Sequence, residues 1–186
     1  LATTYTDTAG NAPASTSTTD NYTVDTTAAT VVAFTLSDSA LKIGDTATVT
    51  LQFSEAVTGF SSDADVTVQN GSLATMTTTD NITWTGTFTP SSDVEDATNV
   101  MSLATSYTDT AGNAGPSATT DNYAIDTIRP TVAAFTMSDT ALISGETSTV
   151  TLQFSEAVAS FSSSADITVQ NGSLATMTSS DNITWT

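Results

Sequence analysis

The chain repeats itself, and the period fixes most of what it can fold into. Residues 25–85 align without a gap on residues 126–186, an offset of 101, with 45 of 61 positions identical. Leu1-Ala-Thr-Thr-Tyr-Thr-Asp-Thr-Ala-Gly-Asn11 returns as Leu103-Ala-Thr-Ser-Tyr-Thr-Asp-Thr-Ala-Gly-Asn113 at an offset of 102, the extra residue falling in the loop that holds Pro13 and Pro116. Shared segments such as Leu51-Gln-Phe-Ser-Glu-Ala-Val57 and Asp80-Asn-Ile-Thr-Trp-Thr85 exceed what a Ser/Thr-rich composition produces by itself. Self-similarity at a fixed period marks a repeated structural unit. One complete unit spans 25–125. Residues 1–24 are the C-terminal part of a preceding unit, and 126–186 the N-terminal part of a following one. The chain therefore opens and closes inside units, which predicts a segment of a longer polypeptide. The apolar Val150, Leu152, Phe154 and Trp185 of the last unit should then be partly uncovered, and that unit disordered alone or completed by strands from another chain.

Within a unit the apolar residues alternate with period 2. Val49, Leu51 and Phe53 are interleaved with Thr48, Thr50 and Gln52, and Ile82, Trp84 and Phe88 with Thr83, Thr85, Thr87 and Thr89. That pattern gives strands with one dry and one wet face. The composition agrees, since Thr and Ser supply 43 and 24 of 186 residues and β-branched Thr favours strands. The fold class expected is all-β, with antiparallel sandwiches of about seven strands per repeat and no disulfide, since there is no Cys. Strands are predicted at 30–36 (A), 46–54 (B), 65–69 (C), 72–77 (C′), 82–89 (E), 99–108 (F) and 117–125 (G), with Asn70-Gly71 as a type I′ hairpin turn between C and C′. Alternating strand direction sorts the acids onto two ends. Glu55, Asp63, Asp65, Asp80 and Asp109 fall at the head, and Asp38, Asp45, Asp93, Glu95, Asp96 and Asp126 at the tail.

Composition also removes function classes. Lys42 and Arg129 are the only basic residues against 20 acids, too few for phosphate-backbone binding. The absence of His and Cys removes zinc, iron–sulfur and haem ligation and catalysis by thiolate or imidazole. Apolar runs reach only Val31-Val32-Ala33-Phe34, far short of the roughly 20 residues of a membrane-spanning helix. No enzyme activity is expected.

Asp126-Thr-Ile-Arg-Pro-Thr-Val132, Phe53-Ser-Glu-Ala-Val57, Tyr107-Thr-Asp-Thr-Ala-Gly-Asn113 and Asp121-Asn-Tyr-Ala-Ile-Asp-Thr127 together resemble bacterial immunoglobulin-like repeats. More narrowly they resemble the extender repeats of giant RTX adhesins, including an ice-binding one. The resemblance covers the whole chain. It implies a secreted, extracellular rod at the bacterial surface, whose tandem repeats hold a ligand-binding tip away from the cell and bind calcium near their junctions. One departure is Ala28-Ala29 where the second junction has Arg129-Pro130; without the fixed φ of proline the first linker is expected to be less stiff.

The residue types favour calcium independently, because Ca²⁺ takes six to eight oxygen ligands and this chain offers carboxylates and nothing softer. Candidate ligands at the first junction are Asp25, Glu55, Asp65 and Asp109. At the second they are Asp126, with Asp93, Glu95 and Asp96 from the preceding tail and Glu156 and Asp166 from the following head. Acidic loops that only confer solubility are the competing explanation. The function expected is a structural spacer stiffened by calcium, with neighbouring repeats of the same chain as partners and strand complementation between chains as a further partner mode. The alternative is a carbohydrate- or partner-binding module, for which the Thr83–Thr89 ladder and Trp84 are the available surfaces. Core packing is the simpler role for Trp84, beside Ile82 and Phe88. A catalytic carboxylate pair at Asp63 and Asp65 has little support, since Ser164 replaces Asp63 in the next unit.

Overall fold

The alternation read from residues 47–53 becomes a strand whose Ala47, Val49, Leu51 and Phe53 are buried while Thr48, Thr50 and Gln52 are not. The structure is a computed structural model that describes residues 1–186. The central repeat opens with β1 (Val31–Leu36), β2 (Ala40–Lys42) and β3 (Ala47–Phe53). β4 (Val57–Thr58), a single helical turn α1 (Ser62–Asp65), β5 (Val66–Thr67) and β6 (Gly71–Leu73) follow. β7 (Thr83–Pro90), β8 (Glu95–Asn99), β9 (Ser102–Leu103), β10 (Thr108–Asp109), β11 (Ala118–Thr119) and β12 (Tyr123–Asp126) complete it. The following segment holds β13 (Val132–Met137), β14 (Val150–Phe154), a helical turn α2 (Ser163–Asp166) and β15 (Thr184–Trp185).

One layer of the central repeat is the antiparallel sheet β1-β3-β7-β6. The other is assembled from shorter ladders: β4 with β10, β5-β9-β11, and β2-β12-β8, in which β12 runs parallel to β2 and antiparallel to β8. Between the layers 16 buried residues form one core. Aromatic rings join them: Phe53 meets Tyr107 at 5.1 Å and Phe88 meets Tyr123 at 5.3 Å between centroids. Burying a side chain of this size stabilises by about 1.5–3 kcal/mol. Each tyrosine also has an acceptor for its hydroxyl, Tyr107 donating to Pro116 O at 2.7 Å and Tyr123 to Gln69 O at 2.9 Å, so the polar tips cost little to bury.

The structure corrects the strand reading in three places. Residues 65–69 and 72–77 are not a hairpin, because β5 pairs with β9 while β6 pairs with β7. Asn70 does take a positive φ of 51°, but Asn70-Gly71 carries the chain across from one layer to the other, giving the four-plus-three division of constant-type immunoglobulin domains. Asp65 ends a helical turn rather than opening a strand. Strand F begins at Glu95, four residues earlier than expected, so Glu95 and Asp96 lie on β8 instead of in a tail loop.

The end segments are more exposed than their counterparts in the central repeat. Tyr22, 77% exposed, has as its counterpart Tyr123 at 1%, and residues 1–24 form no strand. Phe135 is 55% exposed where its counterpart Phe34 is 6%. In the sheet β13-β14-β15, Val150, Phe154 and Trp185 are half-buried whereas Leu152 stays buried.

Gly71 is where the crossover meets the core. A Cβ there would stand 2.3 Å from the Phe88 ring and 2.6 Å from Thr89 O, whereas at Gly172 it would meet nothing nearer than Val169 at 3.7 Å. Gly71→Ala should therefore destabilise the central repeat by about 1–3 kcal/mol, measured as a lower urea midpoint at unchanged slope. Gly172→Ala should leave the transition where it is.

Candidate metal centre

Three segments far apart in sequence deliver carboxylates to the head of the central repeat. Thr30 and Ser54 hold the entering chain against the end of β3, Thr30 N donating to Ser54 Oγ and Ser54 N to Thr30 O, both at 2.9 Å. This sets Asp25, upstream of β1, beside the β3–β4 turn that carries Glu55. The β4–β10 ladder pairs Val57 with Asp109 and brings the third acid alongside. Carboxylate oxygens of Asp25, Glu55 and Asp109 all lie within 4.8 Å of one another, with Asp25 exposed, Glu55 half-buried and Asp109 buried.

Asp109 is built to stay ionised. Its Oδ1 accepts from the backbone N–H of Ala111 and Asn113, both at 2.9 Å, and Asn113 Nδ2 donates to Oδ2 at 2.8 Å. These bonds, the Asn113 side chain foremost, hold its pKa below the ordinary carboxylate value against the opposing effect of burial. Gly112 closes the loop at φ 97°, a conformation that suits glycine. Asn113 Nδ2 also reaches Asp25 O and Thr27 O at 3.4 Å, so the same side chain touches both the loop and the entering linker. Asn113 carries no charge and was absent from the sequence-derived ligand set; the recurrence of Asp-Thr-Ala-Gly-Asn at 7–11 and 109–113 was the available signal.

No cation of the protein offsets the cluster. Lys42 pairs with Asp45 at 3.5 Å, and Arg129 lies in the second linker. Carboxylates about 4 Å apart repel by about 1 kcal/mol per pair even at the dielectric of water. A hard divalent cation would turn that repulsion into attraction, using the carboxylates together with backbone oxygens and water.

Other acids named from the sequence lie elsewhere. Asp65, expected in the first-junction set, lies outside this group; it is buried, its Oδ2 accepting from Ser61 N at 2.7 Å and its Oδ1 from the Ser106 hydroxyl. It closes the α1 turn and, after burial itself, contributes to raising the Tyr107 pKa to about 12. Asp166 keeps only the turn-closing bond on α2, accepting from Ser162 N at 2.8 Å, and is exposed. Asp126 stands across from Glu95 on the β12–β8 ladder, with its Oδ1 accepting from Ile128 N at 3.2 Å. Asp96 faces the crossover, accepting from Asn70 Nδ2 at 2.8 Å. Glu156 is half-buried with an Oε1 that lacks a donor. Glu95, Asp96, Asp126, Glu156 and Asp166 do not converge into a second group of three. Asp126 and Glu156 are the counterparts of Asp25 and Glu55, but residues 126–186 contain no counterpart of Asp109.

Trp84 is half-buried and packs edge-on against Phe60 at 4.8 Å, alongside the core. The Thr ladder borders a shallow depression of about 270 Å³ lined by Thr48, Thr75, Thr77, Thr85 and Thr87 above Gly86. No helix is long and apolar enough to cross a membrane.

The family profile described as "Bacterial Ig-like domain" matches residues 25–125 and again 126–186. No curated protein and no solved structure matches the chain significantly.

A carboxylate whose pKa is lowered by folding contributes stability above its unfolded pKa, and that stability is lost as pH falls through the folded value. Asp109 should therefore titrate below the ordinary Asp range in a carboxyl NMR titration, and the central repeat should lose stability there. Asn113→Ala removes the largest cause of the shift, so it should move both the titration and the acid loss to higher pH. Asp7 has the same shift direction from the same bonds in an exposed loop, and Asn11→Ala should leave unfolding of the central repeat unchanged.

Proposed function

The chain belongs to the bacterial Ig-like domain family, and from that premise we propose that it is a structural extender segment of a large extracellular bacterial adhesin or surface fibre, of the kind found in RTX adhesins. Calcium stiffens the junctions, and the segment has no catalytic role. One observation carries this reading: of three carboxylates within 4.8 Å of one another, Asp25 comes from the linker while Glu55 and Asp109 come from two loops of the repeat it enters. An ion bound there ties linker to domain.

The second junction supports the same arrangement. Asp126, the counterpart of Asp25, has its backbone in the preceding repeat, paired with Lys42 and Glu95. Thr127 is buried in the turn after β7, its hydroxyl donating to Ser91 O at 2.8 Å and accepting from Val94 N at 2.9 Å. Thr131 is already clamped to Ser155 of the next repeat, at 2.9 Å. Only Ile128, Arg129 and Pro130 lie between these anchors, and proline fixes one φ. A cation on Asp126 and the following head would hold an acid from one repeat against loops of the next. Strand complementation between chains is a further partner mode of such a segment.

Calcium should bind with a Kd in the range of extracellular modules, roughly 10⁻⁴ to 10⁻³ M, because the ligands come from separate segments ordered on binding. At about 100 times Kd the ion should stabilise the repeat by about 2.7 kcal/mol, seen as a higher Tm. Asp109→Ala should abolish the rise without unfolding the core. Small-angle scattering of a multi-repeat chain should show it shortening when calcium is chelated. If scattering and melting are the same with millimolar calcium as with excess chelator, the stiffened rod is wrong. A saturable response in a glycan array would favour a binding module instead.

A further inference from the structure

Asp126 and Thr127, adjacent in sequence, have opposite surroundings at the tail of the central repeat. Asp126 ends β12, level with Lys42 and Glu95, and is exposed. Thr127 lies one step beyond the sheet and yet is 3% exposed, because it is seated in the turn between β7 and β8. Its amide N donates to Val94 O at 2.7 Å. Its hydroxyl accepts from Val94 N at 2.9 Å and donates to Ser91 O at 2.8 Å, with Val94 O a more distant acceptor at 3.2 Å. The hydroxyl is thus used both as donor and as acceptor, and Thr127 and Val94 exchange bonds as two paired strand residues would. Asp93, inside the same turn, has φ 57°, a left-handed conformation that Asp tolerates better than most residues. The turn wraps the threonine side chain. The pair Asp-Thr also stands at 25–26, after Asp20-Asn-Tyr-Thr-Val24.

We propose that Thr127 is the positioning residue of the joint: its hydroxyl, latched into the β7–β8 turn, fixes the direction in which the linker leaves the repeat, and does so without a metal ion. The inference rests on the tandem-spacer reading for the use of the latch, and it assigns to a side chain part of the stiffness that the reading gives to calcium. Backbone torsions show why one residue matters here. Pro130 has a fixed φ and confines Arg129 to extended backbone. Thr131 N is held by Ser155 Oγ at 2.9 Å. With Thr127 latched, Ile128 is the one residue of the span with both torsions open to it, and its N–H donates to Asp126 Oδ1 at 3.2 Å. Without the latch Thr127 adds two further torsions, and the linker swings from the end of β12.

The two restraints use different atoms. A cation would be held by the carboxylate of Asp126, which is exposed, whereas the latch consists of Thr127, Ser91 and Val94 within the preceding repeat. Chelation therefore leaves the latch closed. It is also distinct from the core: Thr127 is outside the 16 residues that join the two layers, so losing its hydroxyl loosens the exit while the layers stay packed.

The test uses the intact 186-residue chain, whose lack of cysteine lets a nitroxide label be placed at Arg129→Cys alone. In excess chelator the label should show restricted motion on the nanosecond scale. Thr127→Val keeps the branched shape and removes the hydroxyl, and should shorten the label's correlation time at least about twofold. Thr127→Ser keeps the hydroxyl and should give the spectrum of the parent chain. Hydrogen exchange supplies a second readout: in Thr127→Val the Val94 amide should exchange at least about tenfold faster while Val49 and Leu51 on β3 stay protected. A Thr127→Val spectrum that superimposes on the parent's, a Thr127→Ser spectrum that matches Thr127→Val, or loss of protection at Val49 and Leu51 together with Val94 would each overturn the proposal. So would fast exchange of Val94 in the unaltered chain, a result that does not depend on any variant folding. Every arm is run in chelator, so absence of a calcium effect on scattering and melting would remove the stiffened rod and leave the latch standing.

Discussion

Docking of the β8–β12 segment onto the inner face of β1-β3-β7 is the interaction on which the rest of the central repeat depends. Tyr107, Tyr123, Ile125, Leu103 and Met101 come from that segment, and Val49, Leu51, Phe53 and Phe88 from the facing sheet. Together they form the single core of the repeat. The homologous Tyr22 and Phe135 are exposed where Tyr123 and Phe34 are buried, whereas Leu152 is buried like Leu51. Hydrophobic burial scales with area removed from water, and a strand without a neighbour also leaves its backbone groups unpaired. The closed sandwich of the central repeat satisfies both demands.

The acidic cluster follows from that docking. Asp109 reaches Glu55 only because β10 pairs with β4, and Asp25 only because the entering chain is clamped beside the end of β3. The loop around Asp109 supplies the local part, holding its carboxylate ionised with hydrogen bonds from residues no more than four positions away. The three acids thus gather because the layers close, and a bound cation would offset their mutual repulsion.

At the second joint the anchors on either side of the linker lie close together in sequence. Thr127 in the turn after β7 and Thr131 beside Ser155 leave a three-residue span between repeats. In the first linker Ala28-Ala29 replaces Arg129-Pro130, yet Ala29 is 1% exposed. Ala29 is part of the core of the central repeat.

Much of this was legible in the sequence. The repeat boundaries follow from self-alignment, the β class and the buried face of β3 and β7 from period-2 alternation, and Asp25, Glu55 and Asp109 from the choice of oxygen ligands at one end of the repeat. The Asp-Thr-Ala-Gly-Asn loop forms the same bonds at Asp7 as at Asp109, because every partner lies within five residues and no docking is needed. What the sequence left open was pairing at a distance. Alternation says which face of a strand is dry but not which sheet it joins, so 72–77 reads as a hairpin partner of 65–69 although β6 pairs with β7, and a strand F read from 99 misses β8 because the polar Glu95-Asp96-Ala-Thr98 run carries no apolar signal. Asp65 lies apart from the group of Asp25, Glu55 and Asp109, because the α1 turn sets its oxygens against Ser61 and Ser106. Local hydrogen bonds are encoded in adjacent residues, whereas sheet membership and the company of a carboxylate are set by which surfaces bury one another, and that is decided only when the whole repeat closes.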